Sequence, residues 1–168
     1  MSIRVDERAR IAQISVSGGG VPKRAVPAAQ VTALGLEGDV QRNREHHGGP
    51  EPALCLFSLE RIRALQAEGH QITPGSIGEN LEGSDWSAVV AGAYLGLGRE
   101  VVIQVTRHTA PCASITASFC DRDYARVSQN RPPGDSRVYA RVLRERPLTS
   151  ADPARMLSPA EAAAMGAR

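Results

Sequence analysis

Aromatic side chains are scarce in this chain. Two Phe, one Trp and three Tyr make up 4% of it, so its interior has to be built from Val, Ile, Leu and Ala. Cysteine is scarce too: the three present are widely spaced and odd in number. They do not make a disulfide framework, and a reducing, cytoplasmic setting is the expectation. The formal net charge of +2 is too small to argue for nucleic acid as a partner. No apolar run approaches the roughly 18 residues of a membrane span. The opening segment, MSIRVDERARIAQISVS, carries charges where a signal peptide needs an apolar core. No internal repeat is present, and no Cys-x-x-Cys or His-x-x-x-His pair marks a zinc site. Gly18-Gly19-Gly20 lacks the spacing and the following helix of a phosphate-binding P-loop.

Turn formers are abundant instead. Sixteen Gly and eleven Pro among 168 residues punctuate the chain more often than a helix bundle needs. The length suits a single domain over 1–168, with a core from about residue 12 to 153 and a short N-terminal arm. Strand patterns fall at Ala12-Ile14-Val16, at Val26 to Leu36, at the apolar run Ala53 to Phe57 and at Val138-Ala140-Val142, while Tyr94, Leu95 and Leu97 lead through Gly96 and Gly98 into the central strand. Ser58 is placed to cap a helix running to about Glu68, with Gly69 ending it. Ser158-Pro159-Ala160-Glu161 reads as the start of a terminal helix. Ser114 to Ser128 reads as short and irregular, and Pro147 to Pro153 as a turn. Many short strands with few helices predict a mainly β, α+β fold, barrel-like or a sandwich, with helices at its periphery. Regular strand–helix alternation, which a doubly wound sheet requires, is absent.

The segment Val101 to Ile115 organises the rest. Val101, Ile103 and Val105 alternate as a half-buried strand, and strict parity sends Arg107 to the same side. Pro111 stops the strand and Cys112 follows in the turn. A cation and a thiol at a strand end make Cys112 the candidate reactive centre. Cys55, inside an apolar run, reads as inert packing, and Cys120 is expected to have no role. The adjacent His46 and His47 read as loop histidines that donate a hydrogen bond or bind an anion. A Cys112–His108 pair for acyl transfer is the family-independent alternative; Pro111 between them forbids a regular helical pair and no oxyanion motif accompanies it.

Six pieces in order carry a resemblance: Gly20-Val21-Pro22-Lys23, Gly35-Leu36-Glu37-Gly38-Asp39, His47-Gly48-Gly49-Pro50, Ile77-Gly78-Glu79-Asn80-Leu81, Ala110-Pro111-Cys112 and Tyr139-Ala140-Arg141-Val142-Leu143. The chain resembles the MOSC domain family, named for the C-terminal domain of molybdenum cofactor sulfurase, in its free-standing bacterial form. The resemblance implies a β-barrel-like fold with a cleft that binds the molybdenum cofactor, molybdopterin. It implies Cys112 as the molybdenum ligand and catalytic residue, and carries Lys23, Asp39, His47, Glu79 and Asn80 into the cofactor site by motif position. Arg107 joins them by strand parity alone, as the cation that activates the thiol. Two branches follow. One is an oxidoreductase that reduces small N-hydroxylated compounds, with electrons from a separate donor protein. The other is a sulfur carrier fed by a sulfur donor, with a persulfide on Cys112. The chain is too short to hold a desulfurase as well, so pyridoxal phosphate is not expected in it. A homodimer is the expected assembly. Two places depart from the family pattern, Gly134 to Arg137 before the last strand and Ala151-Asp152 after it.

Overall fold

Alternating apolar patterns become strands wherever one side has a core to face. The structure is a computed structural model that describes residues 9–40, 50–86 and 89–166. Its larger sheet contains β1 (Arg10–Val16), β2 (Arg24–Val26), β5 (Leu54–Ser58), β6 (Leu81–Ser84), β7 (Tyr94–Leu97), β8 (Val101–His108), β9 (Val138–Arg144) and β11 (Ala154–Leu157). Their order is β11-β7-β8-β9-β5-β6-β1-β2. A smaller sheet has the order β10-β3-β4, from β3 (Ala28–Thr32), β4 (Gly35–Leu36) and β10 (Arg146–Thr149). The β5–β6 pairing is parallel, with helix α1 (Leu59–Ala67) as the crossover. The remaining ladders are antiparallel.

The architecture is thus mainly β with peripheral helices, as the turn-rich sequence implies, but the barrel is not closed by a ladder. Between β1 and the segment before β11 only an isolated bridge forms, Arg10 with Pro153. Around that bridge Ala154 N–H donates to Ala9 O at 3.0 Å and Ala151 N–H to Ile11 O at 2.9 Å. Ile11 N–H donating to Asp152 O at 2.9 Å holds the two segments together.

The main core is aliphatic, as the scarcity of aromatics requires. Ile14, Leu54, Leu56, Leu81, Leu97 and Ile103 meet in it. A second cluster under α1 gathers Phe57, Ile62, Leu65, Ile77, Ile115 and Phe119. Strand β5 lies between the two clusters, which is why all five of its residues are buried and the first four, Leu54 to Phe57, are apolar. The single Trp86 lies across Gly83, where a Cβ would come within 1.7 Å of its ring.

Helix ends follow the capping residues. Ser58 Oγ accepts from Arg61 N at 3.4 Å, and α2 (Pro159–Ala164) begins with a full capping box between Ser158 and Glu161. The irregular stretch is three short 3-10 turns, Ala113–Ser118, Cys120–Arg122 and Tyr124–Val127. Three strand expectations are corrected. A register shift between Ile11 and Gln13 buries Ile11 and leaves Ala12 exposed, because a bulge inverts the side-chain parity. Val26 to Leu36 is broken after Val26, and β3 and β4 join the other sheet. Pro147 lies within strand β10, which is tolerated because β10 is at a sheet edge. Among the described residues no helix is long and apolar enough to cross a membrane.

Candidate functional site

Residues two apart on a strand share a face. On β9, Val138, Ala140 and Val142 enter or pack against the main core, so Tyr139 and Arg141 belong to the opposite face. Tyr139 pairs with Cys55 of β5, which likewise points away from Leu54 and Leu56. A cleft of about 500 Å³ opens over this outer face. Cys55 and Tyr139 line it from the strands, and Val21, Lys23, Asn80, Cys112 and Arg137 from the segments around them.

Cys112 is held at this cleft by its neighbours. Thr109 N–H donates to Arg137 O at 2.9 Å, and Ile115 is buried in the cluster under α1. Between these anchors Cys112 takes an extended conformation, φ −136° and ψ 171°, at the start of a 3-10 turn. Its thiol is exposed and lies 2.8 Å from the Ser114 hydroxyl.

Asp39 is the hub on the facing side. It accepts from Lys23 Nζ at 2.6 Å, Asn80 Nδ2 at 2.8 Å and Ser17 N at 2.9 Å. Asn80 in turn accepts from Cys55 N at 3.1 Å and donates to Ser15 O at 3.2 Å, fastening β1 to β5. The sequence brought Lys23, Asp39 and Asn80 to one site, but as a buried network whose polar atoms meet each other. The Lys23–Asp39 ion pair is nearly buried, at 9% and 4% side-chain exposure. Lys23 therefore reaches the cleft with its charge already matched.

Glu79 is fully buried, and neither carboxylate oxygen has a hydrogen-bond partner. Beside it Glu82 accepts from Gly75 N at 2.9 Å. Burial pushes both acids up, Glu82 to about 10, with the neighbouring Glu79 charge adding to the shift. Two carboxylates desolvated together cannot both ionise. Glu79 thus sits behind the cleft as part of the scaffold.

Arg107 is not among the residues lining the cleft. A register shift between Val105 and Arg107 reverses the parity and turns the side chain to the surface. It pairs there with Glu51 at 3.2 Å, its guanidinium 4.6 Å from the centre of the Tyr139 ring. The cation in the cleft is Arg137, which the motif reading passed over. It is buried at 6% exposure, donates from Nη1 to Ile77 O at 2.6 Å, and has no carboxylate in ion-pair contact among the described residues. Period-2 counting back from Arg141 through Tyr139 reaches Arg137, so a signal for it existed in the last strand.

His47 lies outside the described residues. His108 keeps a buried Nδ1 without a partner, while the contact Cys112 makes is with Ser114. The Cys55 thiol is pushed up by burial, in keeping with a packed, protonated group. Burial likewise pushes the Tyr139 hydroxyl up to about 12. Among the described residues, no cluster of three His, Cys, Asp or Glu is placed to hold a metal ion. A metal in this cleft would need ligands beyond those of the described residues.

A family model for the MOSC domain matches residues 43–155. Protein YiiM of Escherichia coli K12 is 35% identical over 106 residues, 60% of this chain and 47% of YiiM. The uncharacterized protein YflK of Bacillus subtilis is 29% identical over 130 residues, 75% of this chain and 58% of its own length. The chain thus spans about half the length of these curated relatives. The crystal structure of YiiM from Escherichia coli superposes with a TM-score of 0.66 at 26% identity, covering 89% of this chain and 70% of that one.

Proposed function

The chain belongs to the MOSC domain family, and on that footing we propose that its cleft binds the molybdenum cofactor and reduces small N-hydroxylated compounds, with Cys112 as the protein ligand to molybdenum. One observation carries the reading. An exposed thiol and a buried arginine, with no carboxylate in ion-pair contact among the described residues, open onto the same cleft.

The residues fit such a group. A volume of about 500 Å³ lies within the roughly 300–1,000 Å³ of small-molecule sites. A thiolate is the soft donor that suits a metal already bound by sulfur. The Ser114 hydroxyl lies 2.8 Å from the Cys112 sulfur, where it can hold the side chain toward the cleft. Arg137 offers a fixed guanidinium to an anionic group such as the cofactor's phosphate. When bound, the cofactor supplies a two-electron redox centre able to accept an oxygen atom. The chain's part is to hold, orient and shield. Val21 and Ile77 give the cleft apolar wall area, and Tyr139, its hydroxyl pushed up by burial, forms part of the same wall. The reaction consumes two electrons and two protons, R–NHOH + 2 e⁻ + 2 H⁺ → R–NH₂ + H₂O, and the electrons come from a separate protein.

The test is molybdenum content and pterin fluorescence of wild type and Cys112→Ala, made in a host that synthesises the cofactor. Wild type is expected to carry both, and the variant to fold equally well by circular dichroism while losing metal and hydroxylamine reduction. Full activity in the variant sinks the reading. If both proteins are folded and empty, the exposure of the thiol favours a persulfide carrier instead, and mass spectrometry after sulfuration should find the extra sulfur on Cys112.

A further inference from the structure

The loop before β9 delivers the cleft's cation, and it is tied down on two sides. Asp135 is shared by two arginines, Arg126 Nη1 at 3.0 Å and Arg61 Nε at 3.6 Å. Arg126 is itself buried and donates from Nε and Nη2 to the Glu68 carboxylate at 2.9 and 2.7 Å. Arg61 lies in the first turn of α1, and Glu68 is the cap at its other end. Through Asp135 the loop is therefore pinned to both ends of one helix.

The next residue, Ser136, ties the loop to the segment that carries the thiol. Ser136 is buried, and its hydroxyl donates toward Thr109 O at 3.0 Å and Arg137 O at 2.8 Å. Arg137 O already accepts from Thr109 N–H at 2.9 Å, so Thr109 O is the acceptor that depends on the hydroxyl. Thr109 is buried too and stands three residues before Cys112. One hydroxyl thus joins the segments that bring Arg137 and Cys112 to the same cleft. The guanidinium it helps to hold is incomplete. Arg137 Nε is buried with no hydrogen-bond partner among the described residues, a donor that a bound acceptor would satisfy. Glu79, which bears on Arg137 electrostatically, is kept toward its neutral form by burial.

We propose that Ser136 and Asp135 are positioning residues for the cleft: they hold the Arg137 guanidinium at a set reach from the Cys112 thiol, and so fix the span of anionic ligand that the two grip at once. This role rests on the reading of Arg137 as the receptor for an anionic group. A donor held in place loses less freedom on binding than one that swings, and a soft ligand and a cation at a fixed separation orient what lies between them.

Alkylation of Cys112 in cofactor-free protein provides the test. Iodoacetate and iodoacetamide attack the same thiolate, so the ratio of their rates cancels the thiol's ionisation and reports the local charge. The label is located by tandem mass spectrometry, because Cys120 shares a tryptic peptide with Cys112. At low ionic strength the iodoacetate-to-iodoacetamide ratio should be about threefold higher in wild type than in Arg137→Met. Ser136→Ala changes no charge, yet its ratio should fall most of the way to that of Arg137→Met. Added to Arg137→Met, it should change nothing further. Asp135→Asn removes a negative charge, which by itself raises the ratio; a fall therefore marks displacement of Arg137. Circular dichroism and urea midpoints check folding, and Asp135→Asn carries the test if Ser136→Ala does not fold. Folded variants with wild-type ratios overturn the positioning role alone. Equal ratios in wild type and Arg137→Met remove Arg137 as the cleft's cation, and the positioning role with it. A wild type that takes up no molybdenum in a cofactor-producing host but keeps the ratio shifts overturns the cofactor reading and leaves the positioning role supported.

Discussion

Asp39→Ala isolates the network behind the cleft. The carboxylate accepts three hydrogen bonds and neutralises Lys23 at 2.6 Å, with both side chains nearly buried. Its removal leaves an ammonium in a place with little water. Breaking a buried pair from one side costs about 3–5 kcal/mol, whereas an exposed pair is worth about 0–1. For a chain of 168 residues, each kcal/mol moves Tm by roughly 2–4 °C, so a fall of about 6–20 °C is expected. Lys23→Met/Asp39→Ala removes both charges and should recover the part of the loss due to the unpaired ammonium, while Asn80 Nδ2 and Ser17 N still lack the Asp39 acceptor. Urea unfolding of the wild type, both single variants and the double variant closes the thermodynamic cycle. A loss under about 1 kcal/mol in Asp39→Ala, or a double variant no better than the worse single one, would refute the account of Asp39 as the buried counter-ion that neutralises Lys23.

Three further outcomes follow from particular contacts. Glu82 holds its proton when folded, up to about 10, but loses it near 4.3 when unfolded; the folded state therefore binds more protons, and wild-type stability falls as pH rises through this interval. Glu82→Gln keeps the acceptor for Gly75 and should gain on the order of 3 kcal/mol over wild type at pH 7, the difference vanishing below about pH 4; parallel pH curves of urea midpoint would contradict this. Gly83→Ala places a Cβ inside the Trp86 ring contact and should cost about 3 kcal/mol. Since Trp86 is the single tryptophan, a red-shifted emission reports its displacement, and unshifted emission at full stability would disprove the contact. Arg137→Met should lower molybdenum content, while Arg107→Ala should leave it intact; the opposite pattern restores Arg107 to the cofactor site.

Much of the frame was legible because it rests on local rules. Ser58 and Ser158 start helices by satisfying free N–H groups of the first turn, whereas β8 ends at His108, three residues before Pro111. Cys112 follows at the strand end, where the thiol was expected. The parity of β8 was not legible. Val101, Ile103 and Val105 alternate as expected, yet one register shift reverses every side chain beyond it, and Arg107 with it. No residue in that run signals the bulge; it arises from how β8 must fit β9. The same holds for Ala12 on β1. Pro147 in a strand was hidden because only the sheet order reveals that β10 is an edge.

The sequence by itself determined a mainly β, aliphatic-cored fold, its helix ends, and a set of chemically able residues separated by long stretches of chain. It did so because periodicity, capping and turn preference act within a few residues of one another. The tertiary structure decided which of those residues face each other and which are already satisfied. It matched Lys23 to Asp39, engaged Asn80 in fastening two strands, and left Arg137 as the cleft's cation without a carboxylate in ion-pair contact among the described residues. Those outcomes depend on contacts between residues far apart in the chain, and on which partners remain once burial has removed water as an alternative.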